Sequence, residues 1–162
     1  LKLLADIHYP TSGNIYKKYK PISILDFQAG INKFGSGYDN IYILGYLLGF
    51  SKKQIIQNID KIIEFTELND FIDLPVSTYS AGMLARITTS IALSTETKIL
   101  LMDEYFGTLD SYFREKVFRA FSKKLTNVDL FILATHDISL VNKSDDKNIF
   151  LIFCFIRFIT SK

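Results

Sequence analysis

The sequence predicts an α/β fold in which helices flank a mostly parallel sheet and a helical subdomain is inserted into it. Two short apolar runs carry this prediction, residues 98–102 and residues 130–134, and each ends in ionisable residues. The segment between the two runs keeps the spacing of an amphipathic helix. Continuous apolar runs that alternate with amphipathic helices are typical of a parallel sheet covered on both faces.

The first 34 residues are predicted to hold little regular structure. Residues 2–7 read as the tail of an apolar helix, which Pro10 and the turn residues after it would stop, and residues 14–34 as short strands and loops. The chain begins with Leu1 rather than Met, inside this predicted helix. We therefore expect the chain to be a fragment that lacks its true beginning.

The next segment is predicted to be helical. Residues 39–48 are rich in Ile, Leu and Tyr, and a glycine follows at the position where a helix would stop. Ser51 followed by Gln54 is a capping box, because each side chain can bind the other residue's free backbone amide. Isoleucines then recur on one helical face. Residues 36–75 are therefore predicted to form a helical subdomain.

Composition excludes several classes of protein. The 162 residues carry 48% hydrophobic and 22% charged residues, which is typical of a single globular domain rather than a disordered chain. The formal net charge is only +2, so binding to nucleic acid is not expected. One cysteine, Cys154, excludes an internal disulfide. No apolar run reaches 18 residues, and residues 149–156 read as a buried strand.

Chemistry-bearing side chains follow the two apolar runs. Asp103 and Glu104 come directly after the first run, and His136 follows the second. In an open parallel sheet, ligands bind at the carboxyl ends of the strands. An aspartate there can hold Mg²⁺ beside a nucleotide's phosphates, a glutamate can activate water, and a histidine can contact a γ-phosphate. The alternatives are a strand end that meets a helix cap, and a solvated or core imidazole.

A run of small residues precedes another predicted helix. Ser80 and Gly82 lie in Tyr-Ser-Ala-Gly-Met, where backbone amides and a helix N-terminus can approach an anion. The alternative is that Ser80 serves only as the helix N-cap.

The order and spacing of these motifs resemble one family. Tyr-Ser-Ala-Gly-Met, then Lys-Ile-Leu-Leu-Met-Asp-Glu, Gly-Thr-Leu-Asp and Leu-Ala-Thr-His-Asp resemble the ATP-binding cassette of ABC transporters. Two features resemble the subfamily that exports polysaccharide, O-antigen or teichoic-acid chains. Ser-Gly-Met replaces the more usual Gly-Gly-Gln in the first motif, and Leu-Leu-Ala-Asp-Ile lies near the start of the chain. The resemblance covers residues 1–151.

The resemblance implies a P-loop NTPase-like fold, with a helical subdomain at about 36–90 and a core carrying the Walker B strand and switch histidine at about 91–151. It implies ATP and Mg²⁺ as cofactors, and a role for each of seven residues. Glu104 would be the general base and His136 the switch histidine, while Asp103 would be associated with the metal. Ser80 and Gly82 would form the signature loop, Asp110 would lie in the loop that communicates across the dimer, and Gln28 would link magnesium to the membrane partner.

The resemblance also implies the function. The intact protein would be the ATP-hydrolysing subunit of a cell-surface polysaccharide exporter, a head-to-tail homodimer on the cytoplasmic face of the bacterial inner membrane, bound to an integral permease. Tyr38, Tyr42 and Tyr46 are candidate docking contacts for that permease, or else core residues.

Three departures from the family's pattern lead to a second hypothesis. The chain contains no Gly-x-x-x-x-Gly-Lys-Ser/Thr phosphate loop and lacks the aromatic residue that stacks on adenine, and residues 153–162 leave the family's course. The alternative is therefore a non-catalytic, truncated cassette that acts as an interaction module. A soluble cassette that serves repair or translation is a third possibility.

Overall fold

The computed structural model describes residues 1–25, 30–94, 96–103, 108–125, 127–135 and 149–153. These residues contain four strands and four helices. They are β1 (Ile22–Ile24), α1 (Gly37–Leu47), α2 (Lys52–Thr66), α3 (Ala81–Ser94), β2 (Ile99–Met102), α4 (Ser111–Leu125), β3 (Leu130–Thr135) and β4 (Ile149–Phe153), with short 3₁₀ turns at Asn69–Phe71 and Val76–Thr78. None of these helices is long and apolar enough to cross a bilayer.

The described strands form one parallel sheet in the order β1-β2-β3-β4. Ile24 pairs with Met102, and Met102 pairs with Leu133, so the strands are in register near their carboxyl ends. The α/β fold class is confirmed. Parallel pairing brings the residues that follow each strand to one edge of the sheet, which is the edge where the predicted chemistry lies.

Local sequence explains the helical subdomain. Ser36 and Asp39 form a capping box at the start of α1, and Ser51 and Gln54 form the predicted one at the start of α2. In each, the serine hydroxyl accepts the N3 backbone amide while the N3 side chain accepts the serine's own amide. Such boxes satisfy amides that a helix leaves free at its N-terminus.

Backbone hydrogen bonds close the two ends of this subdomain. Residues 33–38 run beside residues 72–77, with Tyr38 N donating to Ile72 O (2.9 Å) and Val76 N to Gly35 O (2.9 Å). The first and last residues of the segment that contains α1 and α2 therefore lie side by side.

Helix α3 is shared between two hydrophobic cores. Ala85 and Ala92 face the core between the sheet and α4, whereas Ile87 and Ile91 face the core formed with α1 and α2. All four side chains are buried. The helix thus joins the subdomain to the sheet, and the predicted boundary near residue 90 stays a prediction.

The predicted helix tail at residues 2–7 is a single helical turn that ends in a Schellman motif. Ala5 N donates to Leu1 O, Asp6 N to Leu3 O and Ile7 N to Lys2 O, and Asp6 has the left-handed φ of 59° that the motif requires. The turn is too short to count as a helix in the structure.

Candidate functional site

Asp103 lies at the carboxyl edge of the sheet. It follows β2 directly, and its backbone amide donates to the carbonyl of Ile24 at the end of β1 (3.3 Å). Asp103 is partly exposed. The neighbouring strand β3 ends at Thr135, at the same edge. Three predicted site residues, Glu104, His136 and Gln28, lie outside the described residues, and their roles stay predictions.

Asp103 fits a Mg²⁺ ion that is shared with a nucleotide. Mg²⁺ in such sites takes one or two carboxylates and completes its octahedral shell with phosphate oxygens and water. Asp103 offers one partly exposed carboxylate at the edge where ligands of parallel sheets bind. Among the residues that the structure describes, no group of three or more His, Cys, Asp or Glu side chains could hold a metal ion.

Ser80 is the N-cap of α3. Its hydroxyl accepts the backbone amide of Met83 (3.2 Å), and its carbonyl accepts the amide of Leu84 (3.1 Å). The residue is exposed. Ser80 therefore serves as the N-cap of α3, and its role toward phosphate stays a prediction.

Gly82 lies where α3 touches the segment that precedes α4. A Cβ added at this position would lie 3.2 Å from the carbonyl oxygen of Thr108, which is tighter than most side chains accept. The absence of a side chain thus allows the first turn of α3 to approach residues 108–110. The structure brings Gly82 and Asp110 into one neighbourhood, although they are distant in sequence.

Asp110 is the N-cap of α4 and forms an ion pair with α3. One carboxylate oxygen accepts the amide of Phe113 (2.8 Å), and the other accepts Arg86 Nη2 (2.6 Å). These two interactions, in that order, lower the pKa of Asp110 below its usual range. The carboxylate is thus held in the ionised form and in a fixed orientation.

Arg86 is the site residue that the sequence reasoning missed. Its guanidinium also reaches the carboxylate of Glu67 (3.3 Å) at the end of α2, and it lies 4.5 Å from the centre of the buried Phe113 ring. Lys116 binds the other oxygen of Glu67 (2.7 Å). A sequence signal was available, because Arg86 is the one charged residue in α3.

The predicted docking tyrosines are not all core residues. Tyr38 and Tyr46 are 38% and 49% exposed, whereas Tyr42 is partly buried and lies against the ring of Tyr38, with ring centres 5.4 Å apart. Leu47 on the same helix and Phe34 just before it are more exposed still, at 64% and 93%. We call these four exposed residues, Phe34, Tyr38, Tyr46 and Leu47, the α1 surface.

Comparison with known proteins identifies homologues. The chain is 39% identical over 143 residues to the O-antigen export system ATP-binding protein RfbE of Yersinia enterocolitica, covering 88% of this chain and 60% of that protein. It is 35% identical over 154 residues to RfbB of Klebsiella pneumoniae, an O-antigen export system ATP-binding protein (93% and 61%). The teichoic acids export ATP-binding protein TagH of Staphylococcus haemolyticus is 35% identical over 135 residues (83% and 50%).

The chain therefore spans about 60% of the length of the Yersinia and Klebsiella relatives. No protein-family model matches it. These relatives confirm the resemblance that the motifs predicted: the homologues of this chain are O-antigen and teichoic-acid export ATP-binding proteins.

Solved structures confirm the fold. An ATP-binding cassette dimer in a post-hydrolysis state with ADP and Pi superposes with a TM-score of 0.70 at 18% identity, covering 86% of this chain and 69% of that one. The ATP-binding subunit of an ABC transporter gives a TM-score of 0.69 at 14% identity, covering 86% and 63%. The fold is that of ABC ATP-binding domains.

Proposed function

We propose that the chain belongs to the ATP-hydrolysing subunit of an ABC transporter that exports a cell-surface polysaccharide of the O-antigen, capsule or teichoic-acid type. The 39% identity to an O-antigen export ATP-binding protein over 88% of the chain carries this proposal. The positions of Asp103, Ser80, Gly82 and Asp110 in the structure agree with it, because each lies at a strand end or a helix N-terminus.

One group of residues would act on the bound ATP. Asp103 would hold Mg²⁺, which supplies charge stabilisation to the phosphates when it is bound. Glu104 follows it and would accept a proton from the attacking water, as a general base. His136 would contact the γ-phosphate, and Gln28 would connect the site to the membrane partner.

A second group would face the ATP of a partner copy. Ser80 is exposed at the N-terminus of α3, where its hydroxyl and the backbone amides of the first turn can donate to phosphate oxygens. Gly82 keeps this turn free of side-chain bulk, and Asp110 lies beside it at the start of α4. This arrangement supports a head-to-tail homodimer with the nucleotide at the seam.

The α1 surface would bind the permease. Its side chains are large and apolar or aromatic, and each is more than a third exposed; aromatic residues are enriched at protein–protein interfaces. A groove of about 340 Å³ beside it is lined by Ile24, Leu44, Leu47 and Leu48. Docking there would hold the subunit peripherally on the cytoplasmic face of the inner membrane.

The alternative proposal is a non-catalytic interaction module; the 162 residues themselves contain no Gly-x-x-x-x-Gly-Lys-Ser/Thr phosphate loop. Without the amides and lysine of that loop, most contacts to the β- and γ-phosphates are lost. The 162-residue chain by itself is therefore expected to show little or no ATP hydrolysis, and robust turnover by the purified chain would contradict this view of the missing loop. The codons upstream of Leu1 would separate the alternatives, since an in-frame phosphate loop supports the ATPase and a stop codon supports the module.

The activity itself is tested in a fusion of the chain to the part of the Yersinia RfbE relative that lies outside the match. Glu104→Gln is expected to lower ATP turnover about 100-fold or more and to preserve nucleotide binding, because only the proton acceptor is removed. Glu96→Gln is the matched control, since Glu96 is exposed and precedes β2 at the opposite edge of the sheet. Unchanged turnover in Glu104→Gln would exclude Glu104 as the base.

A further inference from the structure

Four charged side chains from three helices and their ends meet around one buried ring. Arg86 of α3 binds both Asp110 (2.6 Å) and Glu67 (3.3 Å), and Lys116 of α4 binds the remaining oxygen of Glu67 (2.7 Å). Phe113, which is fully buried, lies under both cations, 4.5 Å from the guanidinium and 5.5 Å from the ammonium. We call this group of charges the Arg86 cluster.

The Arg86 cluster connects the subdomain with the sheet-bearing part of the chain. Glu67 ends α2 with a left-handed φ of 57°, a conformation that a residue with a side chain adopts at a cost. Two cations hold its carboxylate there, and Lys116 also donates to the carbonyl of Phe65 (2.9 Å). The end of α2 is therefore fastened to α3 and α4 at once.

The cluster also sets the spacing between two elements of the candidate site. One turn before Arg86, the backbone of Gly82 lies close to Thr108, and a Cβ added at Gly82 would lie a tight 3.2 Å from the Thr108 carbonyl oxygen. Arg86 itself binds Asp110, which caps α4. The ion pair and the backbone approach both act across the same gap, in addition to the apolar packing that places Ala85, Leu109 and Phe113 in one buried cluster.

We infer that Arg86 is a positioning residue, which fixes the first turn of α3 and residues 108–110 as one rigid surface. This inference rests on the proposed function for the meaning of that surface, but the positioning itself does not depend on nucleotide. Lysine cannot replace Arg86 in this role, because a single ammonium lacks the planar fork that spans Asp110 and Glu67 while lying on a ring.

Hydrogen exchange of the 162-residue chain tests the positioning. Four amides report on the two sides of this gap: Met83 and Leu84, which bind Ser80, and Phe113 and Arg114, which bind Asp110. In Arg86→Gln, exchange at Phe113 and Arg114 is expected to rise about tenfold or more, because a charge-assisted hydrogen bond is lost, and exchange at the α3 pair is expected to rise with it. Arg86→Lys is expected to resemble Arg86→Gln.

Two further variants complete this test. Arg119→Gln is the control, since Arg119 forms an exposed pair with Glu115 on α4 and should leave the four amides unchanged. Asp110→Asn keeps a capping side chain at α4 but weakens the contact with Arg86. It therefore tests the same ion pair from the α4 partner, should Arg86→Gln fail to fold. It is expected to raise exchange at the same four amides.

A merely structural role gives a different result. In that case the denaturation midpoint of Arg86→Gln falls and hydrogen exchange rises in proportion along all helices, which would overturn the inference. Unchanged exchange at the four amides, or full protection of them in Arg86→Lys, would also overturn it. In the fusion with the RfbE relative, Arg86→Gln is expected to lower kcat about tenfold while changing the KM for ATP less than about threefold, because Asp103 and its edge of the sheet are untouched. An inactive wild-type fusion would count against the proposed function alone, since the exchange experiment decides the positioning separately.

Discussion

Ser80 caps a helix and is also proposed to bind phosphate, and a single substitution separates these two roles. Its hydroxyl accepts the amide of Met83 at 3.2 Å, and aspartate caps a helix as well as serine does. Ser80→Asp should therefore keep the unfolding free energy of the chain, or raise it slightly, since an anion is favourable at a helix N-terminus. Ser80→Ala should cost about 1 kcal/mol, which lowers Tm by about 2–4 °C in a chain of this size.

Catalysis should respond in the opposite order. A carboxylate about 4 Å from a phosphate charge is repelled by about 4 kcal/mol at the effective dielectric constant near a protein surface. This energy corresponds to a loss of about 1,000-fold in turnover. The alanine variant keeps the backbone amides of the first turn and loses only one hydrogen bond to the phosphate anion, which is worth about 1.5–3 kcal/mol, so its turnover should fall about 10- to 100-fold.

The assay pairs thermal unfolding of the chain with steady-state ATP hydrolysis by the fusion. Ser51 is the matched control, because it caps α2 in the same manner and lies in the subdomain. Ser51→Asp should leave both stability and turnover close to those of the unsubstituted protein. Turnover of Ser80→Asp within threefold of the unsubstituted fusion would refute the phosphate contact, and an unchanged Tm in Ser80→Ala would refute the cap.

Two further predictions concern the described core. Gly37→Ala should lower the unfolding free energy measured in urea by about 1–3 kcal/mol, because the new Cβ would overlap the Tyr79 hydroxyl and lie 3.0 Å from the carbonyl oxygen of Ile72. The cost of Gly37→Ala should be smaller in a Tyr79→Phe background. An equal cost in both backgrounds would contradict the overlap. Burial lowers the pKa of Lys124 to about 8, while an unfolded lysine titrates near pH 10.4. Between these values the unfolded chain holds the extra proton, so the unfolding free energy should rise from pH 7.5 to pH 9.5. Lys124→Met should remove that part of the rise, whereas the same substitution at its exposed neighbour, Lys123→Met, should retain it. An equal dependence of the unfolding free energy on pH in the two variants would count against Lys124 as its source.

The local features of the fold follow from neighbouring residues and could be predicted. The capping box of Ser51 and Gln54 joins residues three apart, so the sequence alone contains both partners. The isoleucine spacing of α2 and the apolar runs of β2 and β3 likewise place whole elements correctly. The position of Asp103 at a strand end follows in the same way, because a strand's end is visible where an apolar run stops.

By itself, then, the sequence determined the fold class, the starts of α2, α3 and α4 and the family resemblance, and it named Ser80, Gly82, Asp103 and Asp110 as candidates, whereas α1 begins at Gly37, two residues before the predicted start. Tertiary structure decided which of them meet. Arg86 and Asp110 are 24 positions apart and Lys116 and Glu67 are 49 apart, so no periodicity or cap pattern connects them. Only packing brings them around Phe113, because a contact between distant residues depends on how whole helices cross, and the spacing of residues within one helix does not encode that crossing.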